Sequence, residues 1–410
     1  MKSLKLTKKT RGAEVSGSPP WVRLGILFLT VFVDLVGFGI VLPLLPFYAD
    51  RFGASGIQIG VLVLSYSAAQ LLLAPLWGRL SDRFGRRPIL IFGLLGSAAS
   101  YVVFAFADSI LVLLLSRLMA GVGGANISVA QAYIADVTPA RERAGNMGLI
   151  GAAFGLGFIF GPAIGGILAP IAPELPGLAA ASLCATNALL AVFFLPESLS
   201  AREREVRAEE YPSPSSRPGL DELRVVFRNP DFLRVLVLSF LFTTAFSAMH
   251  PTFPLFAAER FALDERGVGW LFAFMGVISA AMQGGLVRIL VPRFGEVALI
   301  RLSGVPFVAG LLVIALSSSI PILLVGLALL AVGFGGTLPS LVSLLSRSAP
   351  DALQGGSLGV GQSAGALARI LGPLMAGILW DLAGPSWPYL VASAIGAMAG
   401  IWGLRLRQPD

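Results

Sequence analysis

Residues Gly78–Pro88 read GRLSDRFGRRP, and the segment DRFGRRP within it, Asp82–Pro88, returns 210 residues later as PRFGEVA at Pro292–Ala298. Three further pairs keep nearly the same spacing. ADRFG at Ala49–Gly53 faces AERFA at Ala258–Ala262, DVTPA at Asp136–Ala140 faces RSAPD at Arg347–Asp351, and GPAIGGIL at Gly161–Leu168 faces GPLMAGIL at Gly372–Leu379, at offsets of 209, 211 and 211. Four correspondences in chain order at one spacing mark an internal repeat. The chain therefore reads as two similar halves.

What each half contains follows from composition. Of 410 residues 56% are hydrophobic and 13% charged, with a mean hydropathy of +0.82, where a soluble domain carries about 25% charged residues. An ordinary soluble enzyme and a disordered chain are both excluded. The apolar residues fall in blocks of roughly 20, the length needed to cross a bilayer as a helix. Spans are expected at 22–47, 57–77, 88–107, 109–134, 144–170, 177–195, 231–256, 267–290, 297–317, 320–345, 357–380 and 387–404. This is an all-α membrane protein of twelve transmembrane helices in two pseudo-symmetric six-helix bundles: 1–195, a linker 196–230, and 231–410. The first block, from near Trp21 to Tyr48, is too long for a signal-peptide core and lacks a small-residue cleavage site. Cys184 is the single cysteine and His250 the single histidine. Neither an intrachain disulfide nor a Cys/His metal cluster is expected.

A net charge of +7 reads as topology rather than nucleic-acid binding. With both termini inside, cytoplasmic tails and loops receive Lys2, Lys5, Lys8, Lys9, Arg11, Arg79, Arg83, Arg86, Arg87, Arg141, Arg143, Arg293, Arg347, Arg405, Arg407 and the linker arginines. Outer loops receive Arg51, Arg260 and Arg266. This is the positive-inside pattern, and it requires an even number of crossings. The linker is charged, then Pro/Ser-rich, then amphipathic near Leu220–Phe227.

Asp34 falls near the middle of the first span, where an ionised side chain is costly enough to suggest a paired partner or a function. A carboxylate that is neutral when isolated and charged when hydrated suits a proton-coupled carrier. Arg117, in the fourth span, is its candidate electrostatic partner. At the joint after the second span, Gly78 and Gly85 permit close backbone approach, Pro88 suits a helix start, and Asp82 and Asp136 are acids for Arg83, Arg86 and Arg87. In the fifth span Gly157, Gly161, Pro162, Gly165 and Gly166 belong to a glycine-rich packing face.

On these motifs the chain resembles the major facilitator superfamily, and within it the twelve-helix drug:proton antiporters of the tetracycline-efflux type, from about residue 22 to 404. The resemblance implies that the Gly78–Pro88 signature is a cytoplasmic conformational latch and that the arginine at position 117 takes part in proton transfer. The family pattern AYIAD-TP---R is matched by Ala132, Tyr133, Ile134, Ala135, Asp136, Thr138, Pro139 and Arg143. The GP---GG run of the fifth span is an antiporter signature, which argues for efflux. The chain departs from tetracycline carriers where their helix 3 acid, helix 8 histidine and helix 9 acid align with Ser100, Ser279 and a position near Phe307.

The expected function is proton-coupled efflux of small amphipathic compounds by alternating access, with protons as coupling ion, membrane lipids around it and no cofactor. A monomer in a bacterial cytoplasmic membrane is expected. No P-loop is present and no enzyme reading competes. Uptake or exchange of a sugar, organic anion or nutrient, and lipid or lysolipid movement, are the alternatives. Candidate cavity residues are Phe38, Tyr66, Gln70, Asn126, Gln131, Phe158, His250, Phe274, Gln362 and Arg369, with Tyr101, Phe154, Trp270, Trp380, Asn187 and Gln283 behind them. Arg369 stands out, since mid-span it has no interface to reach; a substrate carboxylate or phosphate, or an internal acid, would justify it.

Overall fold

The computed structural model describes residues 20–124, 126–138, 143–199, 229–348 and 354–406. Most of the expected linker, the N-terminal lysines and Arg407 lie outside the described residues, as does the side chain of Phe154. In chain order the helices are α1 (Pro20–Val41), α2 (Leu45–Arg51), α3 (Gly56–Phe84), α4 (Arg86–Ala105), α5 (Ile110–Gly123), α6 (Asn126–Val137), α7 (Arg143–Leu168) and α8 (Leu175–Phe194) in the first half. The second half holds α9 (Pro230–Ser247), α10 (Met249–Phe261), α11 (Glu265–Ala281), a wide turn at Met282–Leu286, α12 (Val287–Leu316), α13 (Ile320–Arg347), α14 (Gln354–Ala383) and α15 (Trp387–Gly403). No strand occurs among the described residues. In hydrocarbon every backbone polar group must be satisfied within its own segment, and helices do this.

Nine helical stretches among the described residues are long and apolar enough to cross a membrane. One of them, Glu265–Leu316, runs 52 residues, far beyond the roughly 20 that one crossing needs. Gly295, at φ +79 inside it, divides it into two crossings. With α7 and α15, which complete the set, the arrangement agrees with twelve.

Helix boundaries differ from the expected ones where local chemistry intervenes. The first span breaks after Val41, because Pro43 supplies no N–H and its ring crowds the preceding turn. The fourth span breaks at Gly124, whose carbonyl accepts Gln70 Nε2 at 2.7 Å. The seventh breaks at Ala248, where Pro251 withholds the N–H that Ser247 O would otherwise receive. The second span runs to Phe84, so Gly78, Asp82 and Arg83 sit on the last turns of α3 and Gly85 alone is the joint. At φ +104, Gly85 occupies backbone space that favours glycine.

The two bundles meet along a pair of matching seams. On α7, Gly157 and Gly161 pack against Leu35 and Gly39 of α1, and Gly165 against Ile40. The next face of α7 crosses to the other bundle: a Cβ on Gly269 of α11 would lie 2.6 Å from Pro162 O, and one on Gly166 would lie 3.0 Å from Glu265 O. The repeat builds the same contact between α14 and α3, where a Cβ on Gly60 would lie 2.6 Å from Pro373 O. The GP-containing segments that revealed the repeat are thus its two inter-bundle crossings. Both seams lie at the end of the molecule away from the chain termini. There Arg51 Nη2 meets Glu265 Oε1 at 2.5 Å. The Asp381 carboxylate accepts the Gly56 and Ile57 N–H groups at 2.7 and 2.9 Å, an anion on the N-terminus of α3. Toward the opposite end, a Cβ on Gly78, Gly284, Gly285 or Gly359 would meet nothing within 4 Å. The cleft between the bundles is closed at the first end and open at the end where the described chain begins and finishes. Gly78 therefore makes no close approach in this state, contrary to the expectation for it.

Candidate functional site

A run of rings crosses the middle of the cleft. Phe38 of α1 lies 5.0 Å from Tyr66 of α3 and 6.2 Å from Phe158 of α7, between ring centroids. Phe158 is 6.3 Å from His250 of α10, which links the two bundles. On the second side His250 lies 5.3 Å from Phe246, and Phe246 stacks on Phe334 at 3.7 Å. All six are partly exposed. Of these, Phe246 and Phe334 were not singled out in the sequence; the spacing Phe246–His250, one helical turn, was the available signal.

Asp34 sits one turn before Phe38, partly exposed. It is held by neutral donors: Asn126 Nδ2 at 3.4 Å, Cys184 Sγ at 3.8 Å, and the Ser97 side chain. Arg117 is not its ion-pair partner. The Arg117 guanidinium, buried with its residue, stands 5.1 Å from the Phe104 ring centroid and 5.9 Å from that of Tyr101, and its Nε donates to Ser116 Oγ at 3.3 Å. Rings on α4 hold the cation, an attraction that needs no carboxylate. Its Nη2 is buried without a hydrogen-bond partner.

Other candidates sort by geometry. Asn126 is 4% exposed, so it serves Asp34 rather than the open cleft. Gln70 is engaged at the fourth-span break. Gln131 is partly buried and Gln362 exposed. Phe274 shares a helical face with the exposed Trp270 and Val277, turned from the Gly269 and Gly276 side that contacts α7; it belongs to the outer surface, not the cavity. Arg369, at the middle of the 30-residue α14, is partly exposed.

The cluster expected to act as a latch is built around Arg86 rather than Arg83. Arg86 is buried, with Nη2 on Asp82 Oδ1 at 2.6 Å, Nε on Asp136 Oδ2 at 3.0 Å and Nη1 on Ser81 Oγ at 2.5 Å. Arg83 is exposed over the Phe84 ring. Glu197, which sequence reasoning missed, completes the cluster: its carboxylate accepts the N–H groups of Arg86 and Arg87 at 2.8 and 3.2 Å and those of Ser198 and Leu199. An acid at the N-terminus of α4 is favoured by the helix dipole, and its signal was the lone acid directly after Pro196. The second bundle carries the same device with charges reversed. At the repeat positions of Arg86 and Asp136 stand Glu296 and Arg347; Arg347 Nη1 donates to the buried Glu296 Oε1 at 3.0 Å, and Ser343 Oγ at 3.1 Å. A concavity of about 540 Å³ lined by Phe84, Arg87, Ile91, Phe92, Leu95 and Glu197 among others lies beside this cluster and not in the central cleft.

A family model described as Major Facilitator Superfamily matches residues 27–373, and again 251–410. The chain belongs to the Major Facilitator Superfamily. The second match falls within the second bundle, as the internal repeat leads one to expect. The chain is 31% identical over 369 residues to a tetracycline resistance protein, class H, of Pasteurella multocida, covering 89% of this chain and 90% of that one. It is 30% identical to multidrug resistance protein 2 of Bacillus subtilis, over 90% and 91% of the two chains. Its structure resembles that of the human organic anion transporter MFSD10, with a TM-score of 0.71 and 28% identity, covering 94% of this chain and all of that one. This superfamily member is a multi-pass membrane transporter of the drug-efflux kind, and not an enzyme.

Proposed function

We propose that the protein exports small amphipathic compounds across a bacterial cytoplasmic membrane in exchange for protons, as a monomer with both chain termini in the cytoplasm. The observation that carries this reading is Asp34: a carboxylate at mid-span, held by neutral donors, at the edge of a cleft closed at one end and open at the other. A group in that position can be loaded from one side and unloaded to the other as the bundles rock. Closure of the open end and release of the Arg51–Glu265 and Asp381 contacts would expose the same aromatic site to the opposite side. In this reading Arg117, whose Nη2 is buried without a hydrogen-bond partner, expels the proton by closing on Asp34 when Tyr101 yields. The relatives named for tetracycline and multidrug resistance support a drug-like cargo, and the organic anion transporter brings anionic compounds within that class. By resemblance Ser100, Ser279 and a position near Phe307 correspond to the helix 3 acid, helix 8 histidine and helix 9 acid of tetracycline carriers, which argues against a tetracycline–metal chelate. Phe307 in particular is fully buried between Phe242 and Phe334.

Proteoliposomes with an imposed pH gradient test the exchange directly. Compound and proton fluxes recorded together should run in opposite directions and each should accelerate the other. Fluxes in the same direction would replace export by uptake, and compound flux independent of protons would remove the coupling. The proposed orientation is supported by Arg79, Arg83, Arg86, Arg87 and Arg347 at the open end against Arg51, Arg260 and Arg266 at the closed end. After Cys184→Ser, Glu259→Cys should react with an impermeant maleimide from outside intact cells and Arg83→Cys only from the cytoplasmic side. Outside labelling of both would break this orientation. Cys184 itself, being buried, should resist the reagent.

A further inference from the structure

The cleft carries an unbalanced cation, and its surroundings specify a cargo; the argument rests on the export reading above and narrows it. Among the described residues the Arg369 guanidinium makes no hydrogen bond and no ion pair. It lies along its own helix, where a Cβ on Gly365 would come 3.4 Å from Nη1. The charged groups at this level are few. The Tyr66 hydroxyl is within electrostatic range of Asp34, Arg117 and Arg369 together, and His250 within range of Arg369. One acid thus stands against two guanidinium groups, and one of these, Arg117, is enclosed by rings in the first bundle. A cation left at mid-membrane without an acid is costly, and a planar fork of donors matches a carboxylate. A monoanion arriving at Arg369 would complete the charge balance.

His250 adds a second requirement. Its Nδ1 lies 3.3 Å from Ser247 O, the carbonyl that Pro251 leaves without a helical donor. Two acceptors do not bond, so Nδ1 carries the hydrogen, and in the neutral ring Nε2 is then an acceptor. That Nε2 is buried with no partner, which calls for a donor from the cargo. The Phe158, Phe246 and Phe334 rings on either side supply an apolar platform for a flat aromatic body.

We propose that the central site takes an aromatic carboxylate bearing a hydroxyl or N–H donor, with the carboxylate on the Arg369 fork, the donor on His250 Nε2 and the ring system against Phe158 and Phe246. The test is equilibrium binding to the full-length protein in nanodiscs without any pH gradient, using a hydroxynaphthoate, its carboxamide, its methyl ether and the aminomethyl compound of the same skeleton. The acid should bind more tightly than the amide and the amine. Arg369→Gln should weaken acid binding by at least about 30-fold, the order expected when one partner of a desolvated charge pair is removed, and leave the amide unchanged. Arg369→Lys, which keeps charge but not the fork, should fall between. His250→Phe should remove the preference for the hydroxy acid over its methyl ether while leaving the acid-over-amide preference. Equal binding of acid and amide by the parental protein, a preference for the amine, or parental acid affinity in Arg369→Gln would each overturn the assignment. The comparison among ligands needs no variant, so a poorly folding substitution does not decide it. Since no gradient is applied, a failure of proton exchange in proteoliposomes and a failure of anion recognition here are read separately.

Discussion

Asp34→Asn should abolish compound accumulation driven by a pH gradient while leaving the protein folded and gradient-free binding close to parental. The reasoning is local. Asn keeps the size of the side chain and one acceptor oxygen for the donors Asn126, Ser97 and Cys184 that surround Asp34. The structural cost is that of one exchanged hydrogen bond, about 1 kcal/mol. What disappears is titration, and with it any means of carrying a proton at this position. Arg117→Ala should act on the same step from the other side. The proton would still be taken up, but without the cation that closes on Asp34 in the proposed exchange its release would be displaced toward higher pH. Proton uptake on compound addition, measured in proteoliposomes over a pH series, distinguishes the two: absent at every pH for Asp34→Asn, shifted along the pH axis for Arg117→Ala. Uphill transport by Asp34→Asn with the parental pH dependence would make Asp34 structural.

How much of this was legible in the sequence depends on the range of the interaction. Helices, their number and the two-bundle plan follow from hydropathy and from the repeat, which are properties of contiguous text. Helix interruptions were missed at Pro43 and Gly124, because a long apolar block hides a break that is satisfied elsewhere, in the second case by Gln70 from another helix. The clustered residues Asp82, Arg86 and Asp136 were legible as a set, yet the contribution of Glu197 was not, since it arrives from about 110 residues away in the chain. Asp34 and Arg117 were both found and then joined as a pair. The structure keeps them apart, because the Arg117 guanidinium stands against the rings of Tyr101 and Phe104 and nothing in the pattern of charges reveals that. Phe274 was assigned to the cavity by residue type, whereas its helical face is set by the glycines opposite it. The glycine and proline positions of the fifth and eleventh spans were the most informative of all. They mark where two backbones must touch, and the structure puts the inter-bundle contacts there.

The reversed polarity of the second bundle makes the expected latch role of the Arg86 cluster testable by exchange. Arg86→Glu alone would set a new acid among Asp82, Asp136 and Glu197 in a largely buried cluster. Breaking a buried charge pair typically costs 3–5 kcal/mol, and here like-charge repulsion is added, so membrane-integrated protein and transport should both fall steeply. The pair Glu296–Arg347 shows that this chain accommodates the opposite polarity at the repeat-equivalent positions, 210 and 211 residues on. Arg86→Glu combined with Asp136→Arg should therefore recover part of what the single variant loses. Recovery should stop short of parental because Asp82 and Glu197 remain and now face an acid. Adding Asp82→Ala should raise it further by removing one of the two repulsions. Transport normalised to the amount of protein in the membrane, together with the thermal aggregation temperature of the purified variants, separates folding from switching. If the double exchange behaves no better than Arg86→Glu, the two clusters are not equivalent devices and the Arg86–Asp136 contact is specific to the first bundle. If Arg86→Glu is tolerated, the cluster holds neither the fold nor the closed and open states in balance.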